Sequence, residues 1–284
     1  MSFLDKIGEL AKSLSKETDP MIKRSVARPN VVGFYNPTGG AGTSAIVAHV
    51  AEQLHATGDP VVILDLDYLA QTQAKYFLSK DGIPYNKSIR SRILNPSISV
   101  SELVCYKGDN PKNVAIVGMS GREHPSDYAL TPEEFYKNLI DGLSTMFTYV
   151  LVDITGSVNS VEVIESLISC DKVYSVVRPI SRDVERLLYV KQLLGNLEHD
   201  RGSSDKIISV IQNQIIENDF SVNEFKGLDL VLKGNIFQDI DLMKAFDSCR
   251  LISNINTKKV KYFFDVIKSI SGEIRTDISK YTVH

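Results

Sequence analysis

Six apolar runs separated by helix-patterned segments constrain this chain more than any other feature. Residues 31–35, 61–66, 113–118, 149–154, 172–177 and 207–212 each read as a strand. Several are apolar at successive rather than alternate positions, as strands covered on both faces should be. Helical spacing runs over about residues 44–57, 159–169, 182–195 and 257–270. A further helix is expected to start at Thr131-Pro132-Glu133-Glu134: Thr131 caps it, Pro132 suits the first helical position and Glu134 completes a capping box. Strand–helix alternation of this kind predicts an α/β fold in three layers, a mostly parallel sheet with helices on both faces.

Residues 1–28 read differently. Phe3, Leu4, Ile7, Leu10, Ala11 and Leu14 share one helix face, with Lys6, Glu9, Lys12 and Lys16 off it. The segment from Glu17 to Arg28 is polar, holds Asp19-Pro20 and runs into Pro29, so it reads as a linker. The division expected is a short amphipathic helix with its linker over 1–28 and one α/β domain over 29–284. The helix is expected to dock on the body or on a partner, with contact at a membrane surface through residues 3–16 as the other reading.

Charge and cysteine usage exclude several classes. Lys+Arg total 32 against 35 Asp+Glu, a net charge of -3, so no global basic excess points to nucleic acid. Cys105, Cys170 and Cys249 are far apart with no CxxC, which argues against zinc and against a disulfide framework. No apolar run approaches the roughly 18 residues of a membrane span. A cytoplasmic protein is expected, with a peripheral position on the inner face of the membrane as the other reading. His49 and His55 fall on the helix after the first strand and read as structural or surface residues, and Asp171 and the Arg182-Asp183 pair as surface or capping residues.

The stretch most informative about chemistry is Asn36-Pro37-Thr38-Gly39-Gly40-Ala41-Gly42-Thr43-Ser44, which follows a strand and opens a helix. Glycines there let backbone N–H groups turn toward phosphate oxygens, and a helix N-terminus favours an anion. The Ser44 hydroxyl suits Mg²⁺. Tyr149-Val150-Leu151-Val152-Asp153 is an apolar strand ending in a carboxylate that can hold the water shell of such an ion. Asp65-Leu66-Asp67 ends the second strand, on the sheet edge where open α/β sheets bind ligands.

These marks resemble the MinD/ParA family of P-loop ATPases, whose loop reads K-G-G-x-G-K-[ST]; Gly39, Gly40, Gly42 and Ser44 match it. Thr38 stands where the family has its signature lysine and Thr43 where the ordinary phosphate-loop lysine lies. The resemblance extends over about residues 30–253. It implies ATP or ADP with Mg²⁺ as cofactors, held by Gly39, Gly40, Ala41, Gly42, Thr43, Ser44 and Asn213. Asp67 is implied as the catalytic or water-positioning aspartate, with Ser44, Asp65 and Asp153 on the metal. Ile211-Gln212-Asn213-Gln214 resembles the late strand whose asparagine reads adenine, and Gly234 to Asp239, with a helix from Leu242 to Cys249, resembles the closing segment beside the base.

Within the family, Asp65 to Leu69, Tyr76-Phe77-Leu78 and Ser99 to Leu103 resemble the CpaE/TadZ branch, which localises pilus machinery. A homodimer follows from the resemblance. Three functions remain open: a dimeric positioning or scaffolding factor for a pilus, secretion or similar assembly with weak or absent hydrolysis; an active partition-type ATPase drawing cations from elsewhere, such as Arg122 or Lys112; and a nonspecific DNA-binding segregation module.

Overall fold

The computed structural model describes residues 30–67, 70–78, 82–121, 131–132, 134–156, 160–199, 208–216, 228, 230–252 and 257–279. The expected helix over 3–16 lies outside these residues, as does Arg122. Strands β1 (Val31–Asn36), β2 (Val61–Asp65), β3 (Ala115–Val117), β4 (Tyr149–Thr155), β5 (Lys172–Val177), β6 (Ile208–Ile215) and β7 (Val231–Phe237) form one sheet in the order β3-β2-β4-β1-β5-β6-β7. Every pairing is parallel.

Successive strand residues go to opposite faces. Val31 and Tyr35, Val62 and Leu64, and Val150 and Val152 join one core. Val32 and Phe34, Val61 and Ile63, and Tyr149 and Leu151 join the other. Each face is then roofed by helices numbered here in chain order. Helices α4 (Phe135–Met146), α5 (Val161–Ser169) and α6 (Ser181–His199) cover the first through Leu139, Leu167 and Leu187. Helices α1 (Thr43–His55), α7 (Ile240–Asp247) and α8 (Lys258–Ser279) cover the second through Ile46, Leu242 and Phe263. The expected three-layer architecture is the one found.

Three elements escape the sequence pattern. Helices α2 (Thr72–Phe77) and α3 (Ile89–Leu94) are too short to develop a periodic stripe. Strand β7 is an edge strand, with only Ile236 fully buried, so it carries no continuous apolar run. Gly234 within it packs on α8, where a Cβ would lie 2.7 Å from Val266.

The expected capping box before α4 does not form. Glu134 has φ 58, outside helical geometry, and the helix begins at Phe135. The carboxylate of Glu165, from α5, accepts the backbone N–H groups of Glu134 at 3.0 Å and Tyr136 at 3.1 Å. A tertiary partner therefore supplies what the local sequence was expected to provide. Asp171 caps too, but on a strand, accepting the N–H of Val31 at 2.9 Å.

Candidate nucleotide site

Because all strands are parallel, the loop after β1, the acids ending β2 and β4, and the turns after β5 and β6 share one edge of the sheet. The loop's first turn is held from inside: Asn36 Oδ1 accepts the N–H groups of Thr38 and Gly39 at 2.6 and 2.5 Å. Its Nδ2 donates to the carbonyl of Val176 on β5 at 2.8 Å. Gly39, Gly40 and Gly42 have φ of 75, 74 and 80°. These left-handed values are strained for any residue with a Cβ.

A β-bulge in β6 shapes the loop from the other side. The register slips between Gln212 and Ile215, and Gln214 takes φ 60. Asn213 and Gln214 consequently both face the loop. Asn213 Nδ2 donates to the Ala41 carbonyl at 2.7 Å, and Gln214 Nε2 to that of Gly40 at 2.9 Å. Drawing those carbonyls outward leaves the loop's N–H side toward the cleft. A Cβ on Gly42 would come within 2.6 Å of the Asn213 amide, so this glycine is required twice, for its φ and for space. The structure thus places Asn213 on the phosphate loop.

The cleft in front of the loop measures about 310 Å³. Gly39, Gly40, Gly42, Thr43, Ser44, Asp67 and Thr155 supply much of its polar lining, and Tyr76, Met243 and Phe246 line it too. Among the described residues, no Lys, Arg or His lines it.

Asp65 and Asp153 lie side by side in the β2–β4 register and both are buried. Asp65 accepts the N–H of Asp67 at 3.0 Å and that of Gln73 at 2.9 Å. The Gln73 side chain, fully buried in the first turn of α2, donates to Asp153 Oδ2 at 2.7 Å and to the Ser44 carbonyl at 2.9 Å. Burial pushes the Asp153 carboxyl up to about 6, although the Gln73 amide and Ser44 hydroxyl oppose the rise. Burial, then the charge of Asp153, raise Asp65 well above the usual carboxylate range. Asp153 Oδ1, Gln73 Oε1 and Thr43 Oγ1 are buried without hydrogen bonds.

Buried acceptors left in this condition fit a divalent cation and its waters. Among the described residues no three His, Cys, Asp or Glu side chains gather as a metal-ligand group. A cation here would draw on Ser44, the aspartates, water and phosphate oxygens, the partial protein shell usual for Mg²⁺.

The fold agrees with solved structures. MinD from Aquifex aeolicus superposes with a TM-score of 0.67 at 16% identity, covering 86% of this chain and 97% of that one. A ParA family ATPase from Chlorobium tepidum TLS gives 0.62 at 17% identity, covering 90% and 99%. The chain has the MinD/ParA fold. The septum site-determining protein MinD from Pyrococcus horikoshii OT3, complexed with Mg-ADP, gives 0.67 at 14% identity over 87% and 98% of the two chains. In sequence, residues 30–164 match the pattern of the family described as ATPase MipZ. No curated protein sequence matches the chain.

Residues that the sequence pattern passed over complete the site. Gln73 ties β2, β4 and the loop together, yet a lone glutamine beyond a strand carries no spacing signal. Arg178, just past β5, donates through Nε to Asp183 Oδ2 at 2.9 Å, and through Nη2 to Asp183 Oδ1 and Thr38 Oγ1, each at 3.1 Å. Asp183 is therefore a buried ion-pair partner rather than a surface acid. Burial alone would raise it, but hydrogen bonds from Arg178 and Thr38 hold it below the usual range. Arg182-Asp183 was legible as a charged pair; the partner that matters, Arg178, is five residues back across the turn.

Of the two histidines on α1, His49 is structural. Its Nδ1 lies 2.7 Å from the Ala45 carbonyl, and its Nε2 accepts the N–H of Ile252 at 3.0 Å. Cys105 and Cys170 are buried free thiols and Cys249 is half-buried. Among the described residues, no helix is long and apolar enough to cross a membrane.

Proposed function

We propose that this chain is a MinD/ParA-type positioning protein that binds Mg²⁺ with ATP or ADP and hydrolyses ATP slowly or not at all. One observation carries the reading: the backbone cradle for phosphate is complete and braced, while no described cationic side chain lines it. Glycines, the helix N-terminus and a Mg²⁺ held through Ser44, Asp65 and Asp153 favour binding. Catalysis of phosphoryl transfer asks more, because charge must be stabilised on the oxygens in the transition state. Thr38 and Thr43 supply none of it.

The working form in this reading is a homodimer that acts as a platform for a pilus, secretion or similar assembly, as the CpaE/TadZ resemblance implies. Exposed apolar side chains on the nucleotide edge of the sheet support a partner there: Ile216 after β6 is 57% exposed and Ile240 opening α7 is 69% exposed. Residues 3–16 would add a docking arm for the assembly or a membrane surface.

The test is calorimetric titration of ATP–Mg²⁺ into the protein, with light scattering to follow the dimer. Micromolar binding with negligible turnover is expected. No binding at millimolar ATP, with a dimer already formed, would leave a nucleotide-independent scaffold instead. The competing reading, an active partition-type ATPase, is favoured by Asp67 on the cleft wall. It requires Mg²⁺-dependent turnover that Asp67→Ala abolishes.

A further inference from the structure

The cleft gathers negative charge with no cation on its described walls. Asp67 and Asp247 line it, and Asp65 and Asp153 lie buried behind the loop. A bound triphosphate would add several more charges. Mg²⁺ and backbone dipoles offset part of this, but a polyphosphate site ordinarily includes a fixed side-chain cation as well.

Sheet register brings one to the loop. Strands β1 and β5 run parallel with Tyr35 beside Ser175, so Thr38 and Arg178 each stand three residues beyond the same pair. Arg178 Nη2 reaches the Thr38 hydroxyl at 3.1 Å, directly before Gly39 and Gly40. The guanidinium is oriented by the bidentate contact to Asp183, whose side chain is fully buried. That contact and the one to Thr38 use Nε and Nη2. Among the described residues, nothing takes the two Nη1 hydrogens. A buried carboxylate that fixes a guanidinium in this way leaves its remaining nitrogen, here Nη1, as a preset donor for an anion.

We propose that Arg178 is the side-chain cation of this nucleotide site, donating through Nη1 to phosphate oxygens at the Gly39–Gly40 end of the loop, with Asp183 as its positioning residue. The assignment rests on the nucleotide reading above. It places a binding cation just past the strand next to the loop, while the threonines at 38 and 43 still supply none of the charge stabilisation that hydrolysis needs. The ligand class is a nucleoside di- or triphosphate; a monophosphate is too short to gain from it.

The test compares wild type, Arg178→Gln and Arg178→Lys by calorimetric titration with ATP–Mg²⁺ and with AMP, each protein first checked by its melting curve. Arg178→Gln should lose roughly 10- to 100-fold in ATP affinity, the scale of one or two charge-assisted hydrogen bonds, with AMP affinity within about twofold of wild type. Arg178→Lys should recover part of the ATP affinity, because the charge remains and the fork is lost. If Arg178→Gln binds ATP like wild type, the assignment is wrong while the nucleotide reading stands. If ATP and AMP weaken together, Arg178 only braces the loop, and the assignment is again wrong. A wild type that binds no ATP would overturn the nucleotide reading itself, and this assignment with it.

Discussion

The loop that faces the cleft and the acid pair buried behind it are built on opposite principles. The loop is braced: Asn36, Asn213 and Gln214 hold its backbone from both sides, and Arg178 holds Thr38. The acid pair is left short. Two buried carboxylates stand side by side; Asp65 accepts two backbone N–H groups, but Asp153 has only the Gln73 amide on Oδ2 and no hydrogen bond on Oδ1. A preformed cradle facing uncompensated charge means that ligand and cation have different work to do. In the reading proposed above, nucleotide would fit what exists, whereas Mg²⁺ would relieve a cost that the fold carries without it.

That contrast can be broken most sharply at Gly42. Gly42→Ala imposes a left-handed Cβ and a clash with Asn213, so it should cost about 1–3 kcal/mol of stability in backbone strain alone and abolish nucleotide binding by calorimetry. Undiminished ATP binding would show that the loop is not a preformed cradle.

At the acid pair the expected sign is reversed. Asp153→Asn removes a buried charge while keeping an acceptor for Gln73, so the nucleotide-free protein should melt higher. The Mg²⁺-dependent part of nucleotide binding should disappear. A lower melting temperature would mean that the Asp65–Asp153 pair is already compensated.

Gln73→Met keeps the side chain's length but deletes its donor, leaving Asp153 Oδ2 unpaired. A loss of roughly 1–3 kcal/mol is expected in denaturant unfolding. An unchanged midpoint would remove Gln73 from the account.

The smallest effects lie in pH. The folded state raises the Asp153 carboxyl to about 6, so its neutral form is favoured. That contribution is full below the ordinary value of 3.8 and is lost as pH rises through about 6. Protons should therefore compete with Mg²⁺, and the Mg²⁺ increment in ATP affinity should shrink as pH falls below about 6. His49 acts in the other direction. Burial lowers its pKa, despite the hydrogen bond to Ala45, so its neutral form stabilises the fold above 6.5, and this is lost as pH falls from there. A His49→Gln protein should show a flatter melting profile below that pH than wild type; an equal slope would assign the effect elsewhere.

Sequence reading recovered most of the scaffold because burial on both faces writes itself as continuous apolar runs. It missed β7, half-exposed at the edge, and α2 and α3, each six residues long. It also placed a capping box at Glu134 that tertiary contact with Glu165 replaced. In the site, loop glycines and strand-end aspartates were legible because their chemistry depends on position along one segment. Gln73 and Arg178 were not, because their roles depend on which segments the sheet brings together.

The sequence alone therefore determined the α/β architecture, the glycine cradle and the carboxylates at the strand ends, since each follows from local pattern and chain order. Only the tertiary structure decided that Asn213 pins the loop, that Gln73 joins two aspartates to it, and that Arg178 stands beside Thr38. Those contacts span 80 to 172 residues of chain, and parallel register, rather than any motif, sets them.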